Sequence, residues 1–245
     1  STGLTGVIPA WVQEGGHNAW IERMKDPKVR PRLLNDIRKQ LSEQPPEGIL
    51  MVGFKTSEMS KKYLAKTVAE AAQMRGQSPE EAIVDMVIED DHRIQCIYFS
   101  MSEDNIRKKI QLPWVSFCSD AGIYSDISKS FRTHPRAFGS FIRVLGKYSR
   151  DENLFPLEEG IRRLTSFPAQ NLKLKDRGML KENYFADVVV FNAETVSDNA
   201  TFEEPLQFAE GVNHVLVNGV PVLLNGEHTN KYSGRFVKGP GYKST

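Results

Sequence analysis

The stretch Trp114-Val-Ser-Phe-Cys-Ser-Asp120 is followed, after a short interval, by His134-Pro-Arg-Ala-Phe-Gly139. An apolar, β-prone run that ends in Ser-Asp predicts a buried parallel strand with a carboxylate at its C-terminal end, where barrel enzymes carry their catalytic groups. Asp120 is therefore the leading catalytic candidate. Residues 121–133 have neither helical nor alternating apolar spacing, so they predict a loop long enough to bring Arg136 back to the same edge.

Composition sets broad limits on function. The chain has 245 residues, of which 40% are hydrophobic and 26% charged, so it can bury a core and form one or two domains. The formal net charge of +1 gives no indication of a nucleic-acid or membrane partner. No apolar run approaches the ~18 residues of a membrane span. Cys96 and Cys118 lie in apolar runs without metal or disulfide spacing, so both are predicted to be buried free thiols.

The first part of the chain alternates predicted helices with short strands. Residues 17–47 have helical apolar spacing, and Pro45-Pro46 ends that segment. Ser78, followed by Pro79 and Glu81, is a typical helix start. The other elements predicted by apolar spacing and capping residues are strands at 48–54 and 94–100, a helix capped by Ser102, and helices at about 137–149 and 156–172.

The pattern changes near Ala186. From there, short β-prone runs alternate with turns, and the dipeptides Asn218-Gly219 and Asn225-Gly226 separate apolar runs. Asn-Gly in this setting is the strongest short signal for a β-hairpin. A small antiparallel sheet is therefore predicted after a region of alternating strands and helices, an order that indicates part of an α/β barrel followed by a β-sandwich.

Three segments together resemble the N-acyl-D-amino-acid deacylases, or D-aminoacylases, of the amidohydrolase superfamily. They are Ser119-Asp120, the run from His134-Pro-Arg to Leu145-Gly146, and residues 178–187. The resemblance extends over the whole chain, from Ser1-Thr-Gly-Leu-Thr-Gly to the final Gly234-Arg-Phe-Val-Lys-Gly-Pro-Gly241.

This resemblance implies that the chain is the C-terminal half of such an enzyme, with an α/β fold. Residues 1–176 would form the C-terminal part of a (β/α)8 barrel, with an insertion at about 17–47 that folds over the active site as a lid. Residues 177–245 would supply the C-terminal strands of a β-sandwich domain.

The resemblance also implies zinc in the complete enzyme, held by His, Cys and carboxylate or further His ligands from earlier barrel strands, beginning with an H-x-H motif after the first strand. No H-x-H occurs in this sequence, and none of its five histidines has a partner at metal-ligand spacing. We therefore expect no metal on this chain alone. The missing N-terminal half of the barrel is the expected partner that supplies the ligands.

The resemblance assigns Asp120 to catalysis and Arg136 to binding of the substrate α-carboxylate. A carboxylate beside a metal-bound water can accept its proton and pass it to the leaving amine, and a guanidinium matches a planar carboxylate in two-point geometry. The structural alternatives are that Asp120 caps the following loop or helix and that Arg136 pairs with a structural acid. His134 and Ser1 are further substrate-binding candidates, although His134 could equally orient its loop and Ser1 could be frayed.

The implied reaction is hydrolysis of the amide bond of N-acyl-D-amino acids to a D-amino acid and a carboxylate. One alternative is another cyclic or linear amidase of the superfamily, related to hydantoinase or dihydroorotase. The other is an inactive fragment that lacks the metal ligands. The expected substrate is a small molecule, and a cytoplasmic location is favoured, although a signal on the N-terminal half would decide the compartment.

Overall fold

The computed structural model describes residues 2–122 and 132–243. Within them the chain separates into two compact units: residues 2–101 with 132–134, and residues 102–122 with 135–243. These units do not follow the predicted boundary between residues 176 and 177. The assignment of the two sides of that boundary to a barrel part and a β-sandwich part remains a prediction.

The first unit combines a three-stranded antiparallel sheet with helices. The sheet has the order β1-β3-β2, so β3 lies in the centre. Its strands are β1 (Thr2–Gly3), β2 (Ile49–Gly53) and β3 (Gln95–Tyr98). Its helices are α1 (Ala10–Gln13), α2 (His17–Lys25), α3 (Arg30–Glu43), α4 (Ser57–Tyr63), α5 (Val68–Arg75) and α6 (Pro79–Asp90), with 3-10 turns at Leu4–Val7 and Pro46–Gly48.

The core of the first unit forms where the helices cover the sheet. Helix α3 buries Leu33, Ile37 and Leu41, which recur every four residues and therefore share one face. Met51 and Cys96 are paired across β2 and β3 and are both fully buried. Burial of apolar surface at roughly 25 cal/mol per Å² is the main force that holds these elements together.

Helix α6 begins as predicted. The backbone N–H and hydroxyl of Ser78 donate hydrogen bonds to the Glu81 carboxylate at 3.1 and 2.8 Å, and Pro79 occupies the first helical position. This contact satisfies the N–H of the capping residue, one of the polar groups that the start of a helix leaves without a partner in the helix. The predicted helical character of 17–47 is also confirmed, as α2 and α3.

The second unit begins with helices around a small apolar cluster of Ile110, Val144, Tyr148 and Phe155. Its helices are α7 (Glu103–Ile110), α8 (Arg136–Arg143), α9 (Leu157–Leu164) and α10 (Ser166–Asn171), and a π-helical turn at Val144–Asp151 continues α8. A hydrogen bond from the Glu152 N–H to the Lys147 carbonyl, at 2.9 Å, shows the wider π-helical spacing.

A four-stranded antiparallel sheet of order β4-β5-β6-β7 follows in the same unit. Its strands are β4 (Val188–Phe191), β5 (Val212–Val217), β6 (Val220–Leu224) and β7 (Glu227–His228). Both Asn-Gly dipeptides form the predicted hairpin turns. Asn218 and Gly219 have φ of 51° and 81°, and Asn225 and Gly226 have 52° and 82°, as a turn with two left-handed residues requires.

The predicted strand over 114–120 is wrong. Residues 115–120 have no regular secondary structure, and Trp114 is 68% exposed. A buried strand needs a neighbour for its hydrogen bonds, and within the described residues no strand pairs with this segment. The named strands of both described sheets pair antiparallel, whereas barrel strands are parallel.

Candidate active site

Asp120 and Arg136 lie together in the second unit. An Arg136 Nη2 atom is 2.9 Å from Asp120 Oδ2, and the two side chains are 82% exposed for Asp120 and 26% exposed for Arg136. The structure therefore brings together the acid and the guanidinium that the sequence placed at one edge. The contact is an ion pair, which is also the arrangement that the structural alternative for Arg136 requires.

Arg136 is held at the start of helix α8. Pro135, which is buried, precedes it, and the Ser140 hydroxyl donates to the Arg136 carbonyl at 2.8 Å. A cation at the N-terminus of a helix is unfavourable because it faces the positive end of the helix dipole. The Asp120 carboxylate offsets this repulsion and leaves the guanidinium partly exposed at the surface of the unit.

Asp120 sits in an uncommon backbone conformation. Its φ is 46°, in the left-handed region that Asp and Asn tolerate better than most residues. Its N–H donates a hydrogen bond to Cys118 Sγ at 3.3 Å. Cys118 is exposed, so the prediction that this thiol is buried is wrong, while the prediction for Cys96 is confirmed. Cys118 is exposed because the segment around it is not an internal strand.

Sequence analysis missed two arginines that hold the segment before Asp120. Arg163 Nη1 donates to the carbonyls of Ile110 and Leu112, at 2.6 and 3.0 Å. Arg162 Nη2 donates to the Pro113 carbonyl at 2.9 Å. Both arginines lie on helix α9. No pattern in the sequence marked them, because the burial of Gly160 and Arg163, which are three residues apart on one helix face, is seen only in the folded unit.

Ser1 and His134 are the two other predicted site residues. Ser1 lies outside the described residues. His134 is half-buried and belongs to the first unit. Substrate binding by either residue stays a prediction.

The described residues do not make up a metal site by themselves. Among residues 2–122 and 132–243, no group of three or more His, Cys, Asp or Glu side chains could hold a metal ion. Zinc in proteins is usually held by three or four such ligands. In the same part of the chain, no helix has the length and hydrophobicity needed to cross a membrane.

Chemically, the pair offers an accessible carboxylate next to a fork of hydrogen-bond donors. The carboxylate can accept and return a proton, and the guanidinium can bind a second carboxylate. An ion pair this exposed is worth only about 0–1 kcal/mol. An anionic ligand can therefore displace Asp120 from Arg136 at little cost.

The profile of the Amidohydrolase family matches residues 7–223, which is most of the chain. The D-aminoacylase of Alcaligenes xylosoxydans xylosoxydans is 37% identical over 166 residues, covering 68% of this chain and 32% of that protein. The N-acyl-D-glutamate deacylase of the same organism is 44% identical over 127 residues, covering 52% of this chain and 25% of that protein. The chain thus spans about a third or less of the length of these relatives.

Solved structures show the same similarity. A crystal structure of D-aminoacylase superposes with a TM-score of 0.67 at 32% identity, covering 78% of this chain and 38% of that one. The N-acyl-D-glutamate deacylase of Bordetella bronchiseptica, complexed with zinc and a phosphonate that mimics the tetrahedral intermediate, gives 0.64 at 33% identity. That match covers 75% of this chain and 36% of the Bordetella chain. The fold is therefore of the amidohydrolase type found in D-aminoacylase, with α/β content.

Proposed function

We propose that this chain, which belongs to the Amidohydrolase family, is the C-terminal part of a zinc-dependent enzyme that hydrolyses N-acyl-D-amino acids to a D-amino acid and a carboxylate. The observation that carries the proposal is the 2.9 Å contact between Asp120 and Arg136. It joins a proton-transferring group and a carboxylate-binding group in a chain whose relatives are named as deacylases of N-acyl-D-amino acids.

Asp120 is the proposed proton-transfer residue. Its carboxylate is exposed to solvent and can accept the proton of the attacking water and deliver it to the departing amine nitrogen. Such a group typically contributes about 10²- to 10⁴-fold to the rate. Asp120 must leave Arg136, at least in part, before it can act on the water.

Arg136 is the proposed anchor for the substrate α-carboxylate. The guanidinium offers several N–H donors in a fixed plane, and one Nη atom is engaged by Asp120. A substrate carboxylate can replace Asp120 on the same donors. We propose His134 and Ser1 as further substrate-binding residues.

Zinc, when bound, would lower the pKa of the attacking water. Residues 2–122 and 132–243 contain no group of side chains that could hold a metal ion. We propose that the zinc ligands come mainly from outside these residues. We further propose that residues 1–176 belong to a (β/α)8 barrel with a lid at about 17–47, and residues 177–245 to a β-sandwich. Support for the sandwich comes from the antiparallel β4–β7 sheet.

The alternative of another cyclic or linear amidase of the superfamily, related to hydantoinase or dihydroorotase, is not favoured. Relatives of this chain include deacylases of N-acyl-D-glutamate and N-acyl-D-aspartate, which are linear amides by name. A linear N-acyl-D-amino acid is therefore the proposed substrate class.

The test is Asp120→Asn in the complete enzyme that carries this chain. We expect unchanged metal content and a kcat lower by about 10²- to 10⁴-fold, because an amide cannot cycle a proton at neutral pH. Asp176→Asn is the matched control, since Asp176 is also exposed and also has a positive φ, of 57°. Retention of more than about a tenth of wild-type kcat by Asp120→Asn would contradict the assignment, because a general base normally contributes more.

A further inference from the structure

We infer that Arg163 is a positioning residue, which fixes the segment leading to Asp120 and thereby sets where the Asp120 carboxylate stands. The inference rests on the proposed proton-transfer role of Asp120. Among the described contacts of Arg163, none is with Asp120 or Arg136. Arg163 would therefore act through the backbone of the segment that precedes Asp120.

Arg163 is buried to an unusual degree for an arginine. Its side chain is 1% exposed, and it is among the largest fully buried side chains in the described residues. Arginine is almost never fully buried unless it is paired. Burial lowers the pKa of this guanidinium below its ordinary value, so the surroundings must offer specific partners to retain the charge.

Those partners are mainly backbone carbonyls of one segment. Nη1 donates to Ile110 O at 2.6 Å and to Leu112 O at 3.0 Å, with a longer contact to Val115 O at 3.4 Å. The Glu159 carboxylate lies 3.4 Å from Nε as an ion-pair partner. One cationic side chain therefore ties together carbonyls spread over six residues.

Two aromatic rings pack against the guanidinium. Its central carbon lies 4.3 Å from the centre of the Phe155 ring and 4.9 Å from the centre of the Phe117 ring. The two rings are themselves 6.3 Å apart. Phe117 belongs to the same segment, so Arg163 also contacts a residue that is only three positions before Asp120.

The end of helix α7 explains why a charged residue is used here. Ile110 is the last residue of α7, and the last carbonyls of a helix have no partner within the helix, so they need other donors when they are buried. An apolar side chain would fill the space without supplying them. After Phe117, the Asp120 N–H donates a hydrogen bond to Cys118 Sγ at 3.3 Å. This bond links the backbone of Asp120 to the segment that Arg163 holds.

Lysine cannot reproduce this arrangement. Its ammonium is a point charge on a flexible stem, whereas the planar guanidinium donates in a fixed plane and packs against aromatic rings. Arg163→Lys should therefore keep the charge and loosen the segment. Arg177→Lys is the matched control: the Arg177 side chain is 11% exposed and stacks 4.2 Å from the Phe185 ring centre, but it bonds Asp187 and Asn218 instead.

The first measurement is amide hydrogen exchange at Leu112 and Val115, whose N–H groups donate to the carbonyls of Lys109 and Leu112. In Arg163→Lys we expect exchange at both amides to be faster by about tenfold or more, the effect of losing charged hydrogen bonds that hold the turn. The β5–β6 ladder should exchange as in the wild type, and Arg177→Lys should leave both amides unchanged. Equal exchange in wild type and Arg163→Lys would overturn the inference.

Should Arg163→Lys fail to fold, Phe117→Leu removes one stacking ring and keeps the arginine. Exchange at Leu112 and Val115 should then rise by a smaller factor, roughly threefold, since a single ring contact is lost. No change at these amides would count against the inference.

The second measurement is a double-mutant cycle on kcat in the complete enzyme. Arg163→Lys should lower kcat by about tenfold with KM within about twofold in the wild-type background, and should lower it less than about twofold in the Asp120→Asn background. Equal losses in both backgrounds would show a merely structural role. An Asp120→Asn enzyme with wild-type kcat would instead refute the proposed function, while the exchange data would still decide whether Arg163 holds the segment.

Discussion

Replacement of Arg136 by lysine separates substrate recognition from support of the local structure. Lysine keeps the positive charge but loses the planar donor fork that matches a carboxylate. If Arg136 holds the α-carboxylate, Arg136→Lys should weaken productive binding of an N-acyl-D-amino acid. It should have no effect on an N-acyl amine of the same size without the carboxylate, because neither enzyme can use the anchor there.

The geometry of the ion pair sets the size of the effect. A hydrogen bond to a charged group contributes about 1.5–3 kcal/mol. The substrate must first displace Asp120, whose side chain is 82% exposed, and the loss of that ion pair costs at most about 1 kcal/mol. A net loss of about 0.5–3 kcal/mol corresponds to a fall of roughly 2- to 150-fold in kcat/KM.

The assay is a comparison of kcat/KM for two enzymes with two substrates. Arg143→Lys is the matched control, because Arg143 lies on the same helix α8 and pairs with Asp198 at 2.6 Å. That variant should retain wild-type kcat/KM on both substrates.

An equal loss on both substrates would refute the anchoring role. It would mean that Arg136 serves mainly to hold Asp120 in place through their 2.9 Å contact. No loss on either substrate would mean that the pair is a surface contact without a role in the reaction.

Two further predictions concern the folded chain itself. Gly146→Ala should lower the free energy of unfolding by about 1–3 kcal/mol in urea denaturation, because a Cβ at Gly146 would lie 2.6 Å from the Val196 carbonyl oxygen. Gly239→Ala, which has open space around it, should change it by less than about 0.5 kcal/mol. A thiol reagent should label Cys118 in the native protein, whereas Cys96, whose burial raises its pKa, should react only after denaturation. Labelling of both thiols at one rate would show that the described core is open.

The parts of the fold that sequence analysis predicted depend on contacts between near neighbours. The start of α6 is set by Ser78 and Glu81, three residues apart, and the hairpin between β5 and β6 by Asn218-Gly219. Capping and turn chemistry act within four or five residues, so their signals are complete in the local sequence.

The failed prediction of a strand over 114–120 has the opposite cause. Apolar, β-prone composition fits a buried strand, but the outcome depends on a partner from elsewhere in the chain. Here Arg163 supplies donors to the carbonyls of Leu112 and Val115, and Arg163 is about fifty residues away. The composition of the segment alone does not identify such a partner.

Sequence analysis also predicted only part of the candidate site. The approach of Arg136 to Asp120 followed from a loop of suitable length between them and from the family resemblance. Arg163 carried no such signal, because a pair of arginines on a helix reads as a solvated face. The burial of Arg163 depends on Phe117 and Phe155, which join it only in the folded unit.

The turn at Asn218 has a consequence for how the C-terminal segment is held. The Asn218 side chain accepts a hydrogen bond from Arg177 at 2.7 Å and donates one to the Ser233 carbonyl at 2.7 Å. The Ser233 hydroxyl in turn donates to the Val217 carbonyl at 2.8 Å. Ser233 is thus a latch that fastens the C-terminal segment to the hairpin. Glycine at position 218 would preserve the turn but remove one of the two hydrogen bonds that hold Ser233, and aspartate would keep the bond from Arg177 but could not donate to Ser233.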